Sequence, residues 1–396
     1  MNVENVLRST LRERAEHTGP APSDLADRVL GARRRRRRVR WGLSVLVAVT
    51  ATGLALGQTL GGSADPRPAS ERDKRDVIGR ADQSPPREFV AAGDTALAAH
   101  YTIHWADVSS QRIGRRDYQL LDQRTGTYRP VPWRYLDVAP GLRTAAVLEQ
   151  HLPARRVGLV DMMTGKVTRW IDLPGKKAGG VAFSPDGDRL VATTYDGTPE
   201  DITVGQGSQH ARDDARRSGY WIIDLRSGRT AWHKAPDEGQ YAAFVPRRDF
   251  DWSSDGRLVR SPNDERNGHE YYDLKGRKAT APPAEKHLSS PSSGVSPDGE
   301  LVAGGPAGKS QSTAWLIDAR TGAREGETFG SEFVAWADDR RAVFLGCQPL
   351  ECNDWDKRME RLLLVDVETG RVEPLSGGRP MNKTDKELWQ PVFAPR

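Results

Sequence analysis

Few residues of this chain have the types and spacing that chemistry requires. The eight histidines, His17, His100, His104, His151, His210, His233, His269 and His287, are scattered. Only His100 and His104 fall close together. Their separation of four places both on one face of a strand, where core packing or surface exposure explains them more simply than a metal does. Gly304-Gly305-Pro306-Ala307-Gly308-Lys309-Ser310 has the outline of a phosphate loop, but the glycine needed five places before Gly308 is an alanine. Its context is strand, turn, strand, where a phosphate loop needs a following helix. Gly-x-Ser-x-Gly and His-Glu-x-x-His do not occur. Cys347 and Cys352 are the only cysteines, and residues 340–362 hold no histidine. In an oxidising compartment such a pair is expected to close a disulfide, since a metal site would want further Cys or His nearby. No catalytic set, cofactor site or metal site is therefore expected. The expected site residues are the disulfide pair and the residues that fix membrane topology.

Those topology residues come from the uneven charge. Residues 1–40 hold eleven Arg against Glu4, Glu13, Glu16, Asp24 and Asp27, and residues 41–60 hold no charged side chain. The whole chain is +5, so residues 61–396 sum to −1. A nucleic-acid-binding domain would carry its own basic surplus, and none is expected here. Trp41 to Leu60 reads WGLSVLVAVTATGLALGQTL, which at about 1.5 Å per residue spans roughly 30 Å, the thickness of a bilayer core. Arg33, Arg34, Arg35, Arg36, Arg37, Arg38 and Arg40 directly precede it. Arginines beside a spanning helix stay on the cytoplasmic side, so the N-terminus is expected inside, with Trp41 as the interfacial aromatic. Cleavage after small residues such as Gly62-Ser63-Ala64 is the alternative; a forty-residue leading segment and a long apolar run favour an uncleaved anchor.

The expected organisation is a cytoplasmic helical and polybasic tail (1–40), a transmembrane helix (41–60), a flexible linker (61–87) and an all-β domain (88–396). The linker is rich in Pro, Gly and mixed charge, with little to bury. In the tail, Val3, Val6, Leu7, Thr10 and Leu11 form one helical stripe. Ser23 can cap a second short helix after Pro20 and Pro22.

Repeats set the fold of the large domain. An apolar run ending in Asp and a tight turn recurs six times, with the aspartates at 122, 161, 224, 273, 318 and 366. The spacings are 39, 63, 49, 45 and 48 residues, the length of one propeller blade. A second hairpin precedes each copy, clearest in VAFSPDGDRLVATTYDG (181–197), FDWSSDGRLVRSPNDE (250–265) and GVSPDGELVAGGPAG (294–308). Degenerate versions stand at 88–101, 136–150 and 333–347. Two hairpins per copy make a four-stranded antiparallel sheet. Repeated aspartates followed by Ser/Thr-Gly read as turn-formers bonding local N–H groups, not as ligands. The tail WQPVFAPR (389–396) reads as a last strand that seals the ring.

These hairpins resemble WD40-like and TolB-type propeller repeats, over about 88–396. The resemblance implies a six-bladed β-propeller, with seven blades as the alternative, and says little of function. The layout also resembles actinobacterial membrane proteins with a propeller outside and a short helical tail inside, some of them associated with extracytoplasmic-function sigma factors.

Hairpin turns share one face of such a ring, and the loops between second and third strands share the other. The latter are long: 104–117, 196–218, 261–269 and 346–360. Binding is expected on that face. The resulting expectation is a non-enzymatic, single-pass membrane protein whose extracytoplasmic propeller binds a protein, peptide or glycan, with a partner for its tail. An envelope scaffold is one alternative. A lactonase-like or glycan-active hydrolase is another, and it would need an acid-rich pocket holding a metal.

Overall fold

The computed structural model describes residues 67–396 except 74, 109–110, 201, 206–207, 212–215, 237–246, 264–267, 289, 291, 308–312, 349–350, 353–358 and 381–386. Alternating apolar residues bounded by glycine turns give short strands, and the strands assemble into six blades. From the inside outwards, blade 2 is Tyr135–Val138, Thr144–Leu148, Arg156–Asp161 and Lys166–Asp172. Blade 3 is Ala178–Phe183, Arg189–Tyr195, Arg217–Asp224 and Thr230–Lys234, and blade 4 is Asp251–Trp252, Val259–Asn263, Gly268–Tyr272 and Lys278–Ala279. Blade 5 is Gly294–Val295, Leu301–Ala307, Thr313–Asp318 and Arg324–Phe329. Blade 6 is Glu332–Trp336, Arg341–Gly346, Met359–Asp366 and Val372–Pro374.

Blade 1 is built from both ends of the domain. Its inner strand is Glu387–Pro395, paired from Glu387↔His104 to Pro395↔Thr95 along Thr95–Val108. Gln111–Asp122 and Thr127–Pro130 complete it. The C-terminal strand therefore closes the ring. The hairpin expected at 88–101 is correspondingly different: Ala91–Ala92 makes only a two-residue pairing with Thr95–Ala96. The inner edge is already taken by the nine-residue C-terminal strand.

The repeated aspartates are turn-formers. Asp161 accepts the Thr164 N–H at 2.8 Å, Asp224 that of Ser227 at 2.7 Å, and Asp318 that of Thr321 at 2.7 Å. In the first hairpins a serine does the matching work: Ser253 donates to Asp255 at 2.6 Å and accepts the Leu258 N–H at 3.0 Å.

A blade buries both faces against its neighbours, so the core lies in layers between blades. Leu148, Val157, Val181, Leu190 and Ile223 fill the layer between blades 2 and 3. Ala303, Leu316, Ala342, Phe344 and Leu363 fill that between blades 5 and 6. Two indoles stitch the ring, Trp252 donating to the Ala182 carbonyl at 3.1 Å and Trp336 to that of Gly294 at 2.9 Å.

The stretch read as a flexible linker is folded from residue 67 onward. Ala69–Arg72 forms one helical turn, and the Ala69 N–H donates to the Gln123 carbonyl at 2.6 Å. Val77–Ile78 pairs with Ala91–Ala92, and Ile78 is fully buried. The Arg80 N–H donates to the Leu375 carbonyl at 2.9 Å. This segment has little apolar surface of its own, but the finished blades supply backbone partners. It meets the propeller at the blade 1 turn around Gln123, on the face of the tight hairpin turns.

Candidate functional site

Near the loop-bearing end of the channel, blades 1 to 4 surround a cavity of about 480 Å³. Its polar lining comes from Tyr101 and Arg116 of blade 1, Tyr135 of blade 2, and Arg247, Arg248 and Asp249 in the connection into blade 4. Asp251, Arg260 and His269 of blade 4, with Ser292 in the connection into blade 5, complete it.

Two glycines make the arrangement possible. A Cβ on Gly180 would lie 2.4 Å from Asp249 Oδ1, and one on Gly179 would lie 2.5 Å from the Tyr195 ring. Glycine within a strand marks close approach of another group, and here the groups are the two polar side chains behind the cavity wall.

Arg247 is the hub. Its guanidinium donates to Asp249 at 2.6 Å, to the Gly179 carbonyl at 2.9 Å and to Glu200 at 2.5 Å. It also lies over the Tyr135 ring at 4.4 Å. Arg116 approaches the same Glu200 carboxylate at 3.3 Å and covers the Tyr101 ring at 4.6 Å. Tyr135 and Tyr195 donate their hydroxyls to Asp249 at 3.2 and 3.0 Å. Further round, Arg260 pairs with Asp251 at 2.7 Å. Four guanidinium groups line the cavity, against the carboxylates of Asp249 and Asp251, with Glu200 behind Arg116 and Arg247.

Ionisation follows from burial and these partners. Burial pushes the Asp249 carboxyl up, but the Arg247 guanidinium beside it outweighs that and holds it below the usual carboxylate range. Burial, and then the Asp249 charge, push the Tyr135 and Tyr195 hydroxyls well up, so both remain donors. Burial, helped by Arg260, pulls His269 down to about 4, leaving a neutral ring at pH 7. These groups keep fixed charge states around neutrality. That suits holding an anionic group more than moving protons.

The other residues singled out in the sequence lie elsewhere. Cys347 and Cys352 are joined by a disulfide, with Cα atoms 5.5 Å apart, in the blade 6 loop. His100 is buried, edge-on to Tyr128 and Trp389 at 5.3 and 5.8 Å, and burial pulls it down to about 4. His104 pairs with Asp117 at 3.5 Å. His100 is thus a core residue, whereas His104 is partly exposed. Arg33 to Arg38, Arg40, Trp41 and the apolar run 41–60 lie outside the described residues. Among the described residues no helix is long and apolar enough to cross a membrane, and no group of three or more His, Cys, Asp or Glu is placed to hold a metal.

Two long loops differ from expectation. Residues 104–117 are mostly hairpin, because Thr95–Val108 and Gln111–Asp122 pair as far as Val108↔Gln111. The insertion at 196–218 carries strands Ile202–Gly205 and Ser208–Ala211, and the first adds to the blade 1 strand at Arg112 and Gln111. An unpaired blade 1 edge thus recruits a strand from blade 3. The Arg247–Asp249 hub was missed because it lies between repeats; the signal was Gly179-Gly180 inside a strand pattern.

No family model matches the sequence, and no curated protein matches it. Solved structures resemble it at 12–14% identity. TolB from Acinetobacter baumannii is 14% identical over 77% of this chain and 68% of that one, with a TM-score of 0.40. The Kuenenia stuttgartiensis hydrazine synthase is 14% identical over 64% of this chain and 67% of that one, with a TM-score of 0.36. A chain of the mitotic checkpoint complex is 12% identical over 86% and 90%, with a TM-score of 0.40. Likeness at this level is no guide to ligand or activity.

Proposed function

We propose that this is a non-enzymatic ligand-binding propeller, anchored in the cell membrane by residues 41–60 and exposed outside it, with its tail in the cytoplasm. The observation that supports ligand binding is the cavity of about 480 Å³ at the loop-bearing end, lined by guanidinium groups with fixed charge. Its volume falls in the range of small-ligand sites. The ligand class is a protein, peptide or glycan. A hydrolase of the kind weighed from the sequence calls for an acid-rich pocket, whereas Arg outnumbers Asp among the described lining residues here.

The anchor is supported by the uncharged run and the arginines before it. The described chain meets the propeller on its turn face, away from the cavity mouth. The tail, with its apolar stripe, reports ligand occupancy to a cytoplasmic protein, by analogy with sigma-factor-associated membrane regulators.

Crosslinking the full-length protein in cells and identifying what co-purifies tests the binding reading. A specific partner lost on substitution of cavity residues supports it. Recovery of none beyond background under several growth conditions speaks for a scaffold. A pull-down with residues 1–40 that returns nothing above a scrambled control removes signalling from the account.

A further inference from the structure

We propose that residues 69–73 and 75–83 form a releasable latch on the ring. Docked, the latch keeps the closing strand paired; undocked, it lets the propeller part along that strand while blades 2 to 5 stay folded. This holds whatever the cavity binds.

The ring has one seam made by strand pairing alone. Each of blades 2 to 6 is a continuous run of chain, whereas in blade 1 the inner strand Glu387–Pro395 comes from the far end of the sequence to meet Thr95–Val108. The latch precedes Thr95 in sequence and reaches over to the other side. The Arg396 guanidinium, just past the closing strand, donates to the carbonyls of Asp73 at 2.6 Å, Arg75 at 3.2 Å and Ser70 at 3.3 Å. In blade 6, Arg341 donates to the Asp76 carboxylate at 2.6 and 3.0 Å. The Gly377 N–H donates to the Gln83 carbonyl at 2.7 Å, and the Arg80 N–H to that of Leu375 at 2.9 Å. On its own side the latch is held by Gln123 of blade 1, whose carbonyl accepts the Ala69 N–H and whose side chain accepts that of Ser70 at 3.2 Å. It therefore grips both sides of the seam.

The nature of these contacts makes the grip reversible. Between residues 67 and 87 the buried described residues are Pro68, Ala69, Ile78, Gln83 and Pro86, a small apolar surface. The layers between blades are apolar throughout, as with Leu148, Val157 and Ile223. Asp76 is 61% exposed and Arg341 25%, so water already competes for their ion pair. Segments held by few buried apolar contacts and many polar ones open at a lower free energy than the domain as a whole.

Opening reaches the cavity. The closing strand runs from Arg396, beside the latch, to Glu387 at the loop-bearing end. On the way Gln390 stands opposite Tyr101, whose ring lines the cavity under the Arg116 guanidinium. One strand thus joins the latch to the cavity wall.

Hydrogen exchange read by mass spectrometry on the full chain in nanodiscs tests this. The variants are Asp76→Ala, Arg396→Ala and, as a control, Arg226→Ala, which removes an ion pair with Asp188 inside blade 3. In Asp76→Ala, peptides covering 387–395 and 95–104 should exchange about twofold to fivefold faster than in the parent. In Arg396→Ala the increase should be about tenfold or more. Peptides covering Thr144–Leu148 and Arg189–Tyr195, in blades 2 and 3, should keep the parent rate in both variants. Arg226→Ala should leave the seam peptides unchanged. Asp76→Ala alters an exposed pair and leaves the blades folded, which thermal unfolding verifies, so it decides the outcome even where Arg396→Ala unfolds. Acceleration confined to the seam in Asp76→Ala supports the latch. Seam exchange unchanged in Asp76→Ala, acceleration spread equally over all blades, or an equal seam response to Arg226→Ala overturns it.

Discussion

Tyr195 and Asp249 meet across 3.0 Å, hydroxyl to carboxylate, although one ends the second strand of blade 3 and the other lies in the connection to blade 4. The same hydroxyl accepts the Arg248 N–H at 3.1 Å. This contact, with Arg247 on the other carboxylate oxygen, fixes the cavity wall, and it exists because Gly179 and Gly180 leave room for both side chains.

Gly180→Ala is therefore expected to destabilise the domain by about 1–3 kcal/mol, through the collision of the new Cβ with the Asp249 carboxylate. Gly326 also lies in a strand, but its Cβ position is open. Gly326→Ala should stay within about 0.5 kcal/mol of the parent. Urea unfolding of the two variants checks the difference.

Arg247→Ala should cost about 3–5 kcal/mol, because it leaves the buried Asp249 carboxylate without its paired cation and Glu200 with Arg116 alone. Adding Glu200→Gln and Asp249→Asn to that variant should recover part of the loss. A double-mutant cycle on Arg247 and Glu200, read by chemical denaturation, measures the coupling.

Closure of the ring by its C-terminal strand predicts a disproportionate effect of a residue close to the chain end. Trp389 is 3% exposed and packs edge-on to His100. Trp389→Ala should cost about 3–5 kcal/mol. A chain ending at residue 380 loses the inner strand of blade 1 and should lose cooperative thermal unfolding, seen by calorimetry.

Asp137 supplies a pH dependence. Burial raises its carboxyl to about 7, while it accepts the Phe183 N–H at 2.7 Å. The folded state thus keeps a proton that the unfolded chain releases near pH 4. The stability this contributes is full below that pH and is lost as pH rises through about 7, with a slope of at most about 1.4 kcal/mol per pH unit. Asp137→Asn retains an acceptor for Phe183 and should remove this component of the slope between pH 4 and 7, measured by urea midpoints across that range.

Topology is open to labelling. Thr369 lies exposed in a blade 6 turn, and the native cysteines are joined in a disulfide. A cysteine at 369 should react with an impermeant maleimide on intact cells, and a cysteine at Ser9 only after lysis.

The blades were legible in the sequence because each repeats local chemistry. Asp224 with Ser227, and Ser253 with Asp255, need only neighbours within a few residues. The C-terminal strand was legible through WQPVFAPR, since a ring must pair its edge. Three features escaped. The 67–87 segment is ordered by backbone bonds to blades 1 and 6 that no local composition reveals. The 104–117 stretch extends a hairpin into which the blade 3 insertion adds a strand. The cavity joins Arg116, Tyr135, Glu200 and Arg247 from three blades and the connection into a fourth, distant in sequence, so periodicity carries no trace of it. The paired glycines at 179–180 were its one local mark.

Site-specific photo-crosslinking in living cells tests the central claim most directly. The crosslinking residue is placed at Ser292, exposed beside the cavity, and separately at Lys166, exposed on the turn face. A ligand received at the loop-bearing end predicts a discrete adduct from position 292, lost with Arg116→Gln, and none from 166. Adducts from 166 alone, or adducts at 292 that ignore Arg116→Gln, would contradict it.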